Sequence, residues 1–592
     1  MSPKPNPLTR GKKQKARALL RHNQLAEAKP LLEQICHADR RDTETWYLLA
    51  AVNQQLGALE EAAEAYRQVA VLDPRHAEAH YYLGNTYLAL GNAAGAAACF
   101  EQALRIRPDY LEAHINLGGL HELRDNHLAA ETSFREALRL DPQNAELIYN
   151  LGNTLQAQKK IEAAVELYHQ ALALRPQHAD THNNLGNALA QIGRFDDAIA
   201  CYQQALMFTP TLVAAHNNMG NTYLRMQRID DAIASYEQAL RLQPDYAEAL
   251  TNLGNLRQRR QGKLDVAIAL HRHAIECSPE YADAHYNLAF CLLLKGDFRE
   301  GWREYDWRWM REGGMRRPLP VTPWDGADLG GRRVFIHAEQ GLGDEIFFLR
   351  FVLQLRHKGA GHIIYRPTTK IAPLLSRVQV IDHLAGSNDQ PNHTDLVCSV
   401  GDLPQLLGPE SDNLTPPSLT IPVSAVEVER TRHVLATLGP PPYVGVTWRA
   451  GSQGSELVLY KESPLTAVAQ ALRDIPATVL ILQRHPLEGE VTAFSQALGR
   501  PVHDLSALNE DLEQVLALLA LIDDYIGVSN TNMHLRAGVG KTARVLVPAP
   551  PEWRWMAEGK ESPWFPGFSV YRQGYDGDWT KAFAELVKDL AQ

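Results

Sequence analysis

Asn184-Leu185-Gly186-Asn187, followed by Leu189, Ala198, Tyr202 and Pro210, is one copy of a pattern that returns every 34 residues. Pro74, Pro108, Pro142, Pro176, Pro210 and Pro244 keep that interval, and Pro279 arrives one residue late. A fixed period of this length marks a repeat array, in which no unit can bury its apolar face alone. Ala62, Ala96, Ala130, Ala164, Ala198, Ala232 and Ala267 place a small residue where two helices must approach closely. Gly84, Gly118, Gly152, Gly186, Gly220 and Gly254, ending in Ala289, form a second small column in the preceding helix. Leu185, Leu189 and Tyr202 fill the intervening turns at helical spacing. Proline closes each second helix, because it has no N–H to donate and its ring clashes with the preceding turn. The pattern predicts a curved stack of helix–turn–helix units with a concave groove.

These columns resemble the tetratricopeptide repeat over residues 8–311, about nine repeats. One column is not demanded by packing: Asn116, Asn150, Asn184, Asn218, Asn252 and Asn287. Asn153, Asn187, Asn221 and Asn255 follow three positions later on the same helix face. A side-chain amide carries both donors and an acceptor, so a row of them suits the backbone of an extended peptide. Each such bond contributes about 0.5–1.5 kcal/mol net. Asparagine also caps or bridges neighbouring helices, and both readings stand. The same repeat position carries an asparagine ladder in the eukaryotic O-GlcNAc transferases, which this half resembles; the resemblance implies an acceptor-binding role.

A chain of 592 residues is too long for one core. Its apolar content of 45% and charged content of 22% are those of a globular protein. A formal net charge of −10 argues against a general nucleic-acid binder, whose affinity comes largely from phosphate neutralisation. Lys4, Arg10, Lys12, Lys13, Lys15, Arg17 and Arg21 make the start basic, which fits a solvated face of the first repeat helix. No apolar core follows that start and no run is long enough to span a membrane, so a cytoplasmic protein without stable membrane insertion is expected. Cys36, Cys99, Cys201, Cys277, Cys291 and Cys398 form no C-x-x-C pair and read as small buried residues in a reducing compartment.

The aromatic run Gly301–Trp309 is suited to cap the array and dock it on its neighbour. Residues 312–331, rich in proline and glycine, read as a connector. Beyond it the period changes. Strand-like runs at Arg333–His337, His362–Arg366, Val378–His383 and Asp395–Ser399 alternate with helical stretches. A second set follows at Tyr443–Trp448, Ala477–Gln483, Tyr525–Val528 and Ala543–Val547, separated from the first by Pro416–Pro422 and a helix at Val423–Leu438. Alternating strands and helices predict two α/β, Rossmann-like halves, at 332–422 and 423–592, with ligand crevices at the carboxyl ends of parallel strands. The final helix, Trp579–Leu590, has an amphipathic face suited to cross back onto the other half.

The first strand ends in Glu339-Gln340-Gly341-Leu342-Gly343-Asp344 and a helix follows. Gly341 and Gly343 permit a tight turn and close approach of a ligand. In the second half, Ser529-Asn530-Thr531-Asn532-Met533-His534 opens a helix after a strand, where free N–H groups and hydroxyls suit a phosphate. Arg449 supplies a guanidinium and Lys461 a point charge. His534 is either a packed helix residue or one that donates a hydrogen bond to a phosphate or acts on the leaving group. Trp553-Arg554-Trp555 and Ser562–Pro566 form an aromatic lip that lines a ligand or seals the sheet.

This constellation resembles the ADP-heptose glycosyltransferase (heptosyltransferase) family, over about residues 332–592. The likeness is strongest at Gly341–Asp344 and at Asp524–Pro548. Ser529-Asn530-Thr531 departs from the aspartate-threonine usual in that family. The resemblance implies a GT-B fold, an inverting and metal-independent glycosyltransferase, and no cofactor beyond a nucleotide-sugar donor. By it, Asp344 is the general base, with Glu339 and Glu345 as rivals and helix capping or contact with the acceptor as plainer roles for Asp344. Gly341, Gly343, Arg449, Lys461, Ser529, Asn530, Thr531 and His534 would hold the donor. The whole arrangement resembles bacterial flagellin glycosyltransferases with tetratricopeptide repeats. That implies O-glycosylation of serine or threonine on a bound protein, flagellin, with a CMP-activated nonulosonic acid such as pseudaminic acid as one donor. A lipid-linked or polysaccharide acceptor, or a non-catalytic scaffold or chaperone, are the alternatives.

Overall fold

In the computed structural model, which describes residues 7–311, 323–339, 341–391, 396–407, 415–450 and 461–592, nine helix pairs run from Pro7 to Tyr305. The chain divides into two compact units at Leu242–Gln243, inside the repeat array.

The first unit holds the first seven pairs. Ala62, Ala96, Ala130, Ala164, Ala198 and Ala232 are fully buried, as close helix contact requires. The glycine column has an equally direct cause. A Cβ at Gly84, Gly118, Gly152, Gly186 or Gly220 would lie 2.5–2.7 Å from the ring of Phe100, Phe134, Tyr168, Tyr202 or Tyr236. Each ring therefore rests on bare backbone of the neighbouring helix, and all five rings are almost wholly buried. The basic first helix, Pro7–Arg21, is paired with acids of the array: Lys13 reaches Asp42 at 2.8 Å and Glu44 at 2.9 Å.

The second unit begins with the last two helix pairs, Ala247–Gln261 with Leu264–Cys277 and Ala282–Lys295 with Phe298–Tyr305. Here His271 takes the ring position, over Gly254. The aromatic run that follows packs inward: Trp302 stands edge-on to Trp553 at 5.2 Å and to Trp564 at 5.9 Å. Four cysteines, Cys36, Cys99, Cys291 and Cys398, are buried free thiols, whereas Cys277 is exposed, contrary to the buried role expected of it.

Two parallel sheets follow. The first contains β1 (Arg333–His337), β2 (His362–Arg366), β3 (His383–Leu384) and β4 (Leu396–Ser399), in the order β3-β2-β1-β4. The run expected as a strand from Val378 is instead a pair of turns, and only its last residue joins the sheet. Val378 and Ile381 turn inward as core plugs, and Asp382 fixes the turn by accepting the Ile363 amide at 2.6 Å. The second sheet contains β5 (Tyr443–Val446), then, after the antiparallel hairpin β6 (Arg449–Ala450) and β7 (Lys461–Glu462), β8 (Thr478–Ile481), β9 (His503–Asp504), β10 (Asp524–Val528), β11 (Arg544–Val547) and β12 (Ser569–Arg572). Its order is β12-β11-β10-β5-β8-β9, all parallel. Strand succession thus runs one way from β5 to β9 and the other way from β10 to β12. Between β5 and β10 lies a topological switch point, where a crevice opens at the carboxyl ends. The central strands are apolar on both faces, as a sheet covered on both sides requires: Val334, Phe335, Ile336, Tyr525, Ile526 and Val528 are all buried. The final helix, Thr580–Leu590, corrects an expectation. Ala582 and Leu586 share a core with Val444, Val479 and Ile526, so this helix packs on the second sheet itself.

Candidate functional site

A cavity of about 920 Å³ opens at the carboxyl ends of β5 and β10 and is bounded on the far side by Gly341–Asp344 of the first sheet's loop. Its position follows from packing. A Cβ at Gly527 would collide with Thr447 Oγ1, so glycine alone lets the end of β5 lie against β10. The helices Leu342–Phe348 and Thr531–Gly538, which follow β1 and β10, pack on one another and bring the two loops face to face.

Three carboxylates of the first loop, Glu339, Asp344 and Glu345, are the sequence's candidates for a base, and the structure gives them different surroundings. Glu345 is fully buried beneath the loop, where it accepts Tyr365 Oη at 2.8 Å, Thr368 N at 3.1 Å and Thr368 Oγ1 at 2.6 Å. Burial raises its pKa above the usual carboxylate range, against the pull of those donors. Glu339 is held by Arg308, which donates to it at 2.8 and 3.0 Å and also pairs with Asp402. That arginine, over the rings of Tyr305 and Trp309, plugs the first sheet's own switch point between β1 and β4. Asp344 alone of the three lines the cavity. It caps nothing, since the helix starts from Gly341 with no side-chain cap, and it pairs with Arg554.

The residues expected from the sequence to hold a donor line one cavity, but several are already engaged. Arg449 is buried in a fork with Glu490 at 2.5 and 3.1 Å, so this guanidinium is not the open phosphate fork expected from the sequence. Trp448 and Arg449 amides both donate to Gln483, which fixes the turn. Lys461 pairs with Glu552, and Ser529 Oγ donates to the same carboxylate at 2.6 Å. Burial opposes the charge on Glu552, yet Lys461, Arg554 and Ser529 outweigh it and hold Glu552 below the usual range. Asn530 is the helix cap: its Oδ1 accepts Met533 N at 3.2 Å while its Nδ2 donates to Thr447 Oγ1 at 2.9 Å. Its role is therefore local geometry. Thr531 lines the cavity beside Gly343 and opens the helix, with the first amides of that helix directed to the cavity end.

His534 is buried against Phe347 and Phe565, and its Nδ1 has no hydrogen-bond partner. Burial, reinforced by Arg554, Arg350 and Lys461, pushes its titration far below the usual histidine range, so it is a neutral imidazole at the cavity wall. Trp553, Trp555, Trp564 and Phe565 are all buried and seal the sheet edge; between them Arg554 reaches the cavity. From sequence Glu552 was not singled out, and Arg554 only as a member of the aromatic lip. The signal was available, because both follow β11, the strand next to β10, at the carboxyl edge.

Of the repeat asparagines, Asn116, Asn150, Asn184, Asn218, Asn252 and Asn287 are all half-buried. Asn116 Nδ2 donates to Asn85 Oδ1 at 2.7 Å and Tyr81 Oη at 3.4 Å. Asn184 Nδ2 donates to Asn153 Oδ1 at 2.9 Å and Tyr149 Oη at 3.1 Å, and Asn218 Nδ2 to Asn183 Oδ1 at 3.0 Å. The second column accepts the buried tyrosines, with Asn153, Asn187 and Asn221 taking Tyr168, Tyr202 and Tyr236 hydroxyls at 2.6–2.8 Å. In this structure the columns bridge consecutive repeats. For Asn116 and Asn184 both amide hydrogens have internal partners, and Asn184 Oδ1 also accepts Asn183 Nδ2 at 3.2 Å, so little of these amides is left to meet a peptide.

Among the described residues no helix is long and apolar enough to cross a membrane, and no three histidine, cysteine or acidic residues gather as metal ligands. Tetratricopeptide-repeat models match residues 52–91, 81–145, 133–166, 157–193, 186–227, 211–280 and 272–303, so repeats of this kind fill the N-terminal region. Protein FlbA of Caulobacter vibrioides is 26% identical over 324 residues, 51% of this chain and 54% of FlbA. The chain thus spans about half the length of that relative. Solved structures with similar repeats include MamA, at 25% identity over 28% of this chain and 97% of that one, with a TM-score of 0.27. TTC0263 of Thermus thermophilus is 26% identical over 31% of this chain and 99% of that one, with a TM-score of 0.29. YrrB, described as a TPR protein with an unusual peptide-binding site, is 24% identical over 32% of this chain and 97% of that one, with a TM-score of 0.29. Scores this low carry no functional weight.

Proposed function

We propose that this chain is a protein O-glycosyltransferase, which moves a sugar from a nucleotide donor to a serine or threonine of a protein held by the repeats. The observation that carries the reading is the cleft at the β5–β10 switch point, where Asp344 faces Lys461, His534, Ser529 and Arg554 across one cavity. Lys370, Arg449, Lys461, Arg484 and Arg554 line it, each paired with a carboxylate (Glu510, Glu490, Glu552, Glu510 and Asp344 in turn), a slight excess of cations that suits an anionic ligand able to replace one of those partners. In the reaction, the acceptor hydroxyl oxygen forms a bond to the anomeric carbon while the bond from that carbon to the nucleotide phosphate oxygen breaks. The leaving phosphate takes the electron pair, and Asp344 takes the hydroxyl proton. The cationic wall stabilises the departing charge where it develops. This scheme keeps the two-half GT-B reading, with a CMP- or nucleoside-diphosphate-activated sugar as donor. Flagellin is the proposed acceptor, modified in the cytoplasm, on the resemblance to repeat-bearing flagellin glycosyltransferases.

The test is the intact mass of flagellin co-expressed with the wild-type chain, with Asp344→Asn, and without the chain, in a cell that makes the activated sugar. The reading requires a mass increase by one or more sugar units that disappears with Asp344→Asn. An unmodified flagellin alongside the wild type would remove flagellin as the acceptor.

A second reading draws on the bridging hydrogen bonds of the asparagine columns, which leave fewer groups for a peptide. In it the cleft acts on a lipid-linked or polysaccharide acceptor and the repeats recruit a partner. Changing Asn184, Asn218 and Asn252 together to alanine separates the two: the first reading requires capture and modification of the protein acceptor to fall, whereas the second requires transfer to the lipid-linked or polysaccharide acceptor to be unaltered.

A further inference from the structure

Three of the ion pairs around the cavity, those of Glu490, Glu552 and Asp344, are not equivalent. Glu490 also accepts the Leu487 amide at 2.7 Å, and Glu552 also accepts Ser529 Oγ at 2.6 Å, so each keeps a donor if its cation leaves. Asp344 has no hydrogen bond among the described residues besides that from Arg554. Its side chain is also the most open of the three carboxylates, at 33% exposure against 18% for Glu490 and 12% for Glu552. Water screens an open pair and lowers the cost of parting it.

Arg554, by contrast, is fixed. Its guanidinium lies 4.8 Å over the Phe347 ring and 4.5 Å over the Trp553 ring, and its Nε is buried without a partner. Its carbonyl accepts Ser562 Oγ at 2.5 Å, and the flanking Trp553 and Trp555 are buried. Among the described residues the one hydrogen bond of its guanidinium goes from Nη2 to Asp344, 210 positions away. A packed cation facing a cavity, matched by a singly bonded, partly exposed carboxylate, is the arrangement of an anion site with an internal placeholder.

We infer that Arg554 is a phosphate-binding residue of the cleft and that a nucleotide phosphate displaces Asp344 from it. The inference rests on the glycosyltransferase reading and deepens it, by coupling donor binding to release of the base. A planar guanidinium forks onto carboxylate or phosphate with the same pair of donors, and phosphate brings the larger charge. Once the phosphate has taken Arg554, Asp344 is left without a partner at the mouth of the cavity, where an acceptor hydroxyl must lose its proton.

The experiment is calorimetric titration of the full chain with CMP, UDP, ADP and GDP. The wild type is expected to bind at least one of them. Asp344→Asn should bind that nucleotide roughly tenfold tighter, because the competing carboxylate charge is gone. Arg554→Ala and Arg554→Lys should both bind it about tenfold to a hundredfold weaker, the lysine variant keeping the charge but losing the fork. The double variant Asp344→Asn/Arg554→Ala should show no gain over Arg554→Ala. Wild-type affinity in both Arg554 variants, or no gain in Asp344→Asn, overturns the exchange while leaving the donor cleft standing. A wild type that binds none of the four nucleotides removes the donor reading itself, and the exchange with it.

Discussion

The repeat array and the cleft use polar side chains in opposite ways. In the array, neutral amides and hydroxyls pair with partners about one repeat away, as Asn184 does with Asn153 and Asn116 with Asn85. The same contact is made again and again, and each copy contributes a modest, locally defined bond. In the cleft, charged groups pair once each across long stretches of chain, as Asp344 does with Arg554. Breaking one of those pairs changes the electrostatics of the whole cavity. Repetition spreads its polar contacts over many equivalent sites, whereas the cleft concentrates them at one.

The largest expected effect tests that concentration. Asp344→Asn should lower sugar transfer by about 10²–10⁴-fold, the usual contribution of a general base, with nucleotide affinity unchanged or tighter. Separate measurement of turnover and of nucleotide binding checks it. Glu345→Gln, aimed at the buried neighbour, should affect stability more than turnover, because Glu345 binds Tyr365 and Thr368 rather than the cavity.

Next comes the one repeat that breaks the ring column. His271 is wholly buried over Gly254 with both ring nitrogens unpartnered, and burial drives its titration down to about 4. In the unfolded chain it titrates near the ordinary histidine value of about 6.5. Below that value the unfolded state takes up a proton that the native state refuses, so stability falls as the pH drops from about 6.5 to 4 and is unaffected above. His271→Phe, copying Phe134, should remove about 2 kcal/mol of the wild-type loss between roughly pH 7 and pH 5. Urea unfolding of both proteins at the two pH values measures the difference.

Smaller effects test whether the copies are interchangeable. Gly186→Ala drives a Cβ to 2.6 Å from the Tyr202 ring, which is buried and bonded to Asn187 and cannot easily yield. It should cost about 1–3 kcal/mol, the range for overpacking a core. Gly193→Ala has open space but a backbone φ of +81°, and should cost about 1–2 kcal/mol from strain alone. Smallest is Tyr202→Phe, which loses the bond to Asn187 and should cost about 0.5–1.5 kcal/mol. Chemical denaturation of the three variants ranks them.

Most of the array was legible because its contacts recur with the period. Gly186 and Tyr202 meet in space for the same reason as Gly152 and Tyr168, so one reading of the column served every copy. The strands of the second half were legible as apolar runs, and so were the turns at Gly341–Asp344 and Ser529–His534. What failed was local geometry under tertiary control. Val378 and Ile381 looked like strand residues because they are apolar, but they point into the core from turns. Arg449 looked like an open phosphate fork because nothing near it in sequence announces Glu490.

Period and residue type fixed the repeat helices, the alternation of strands and the loops that end at a ligand edge, because those depend on neighbours within a turn or a repeat. The order of the sheets, the burial of Glu345, the plugging of Glu339 by Arg308 and the partnering of Asp344 with Arg554 were settled by tertiary structure alone. Charges attract through space without regard to sequence separation, and only the packed fold brings residues 344 and 554 within reach of each other.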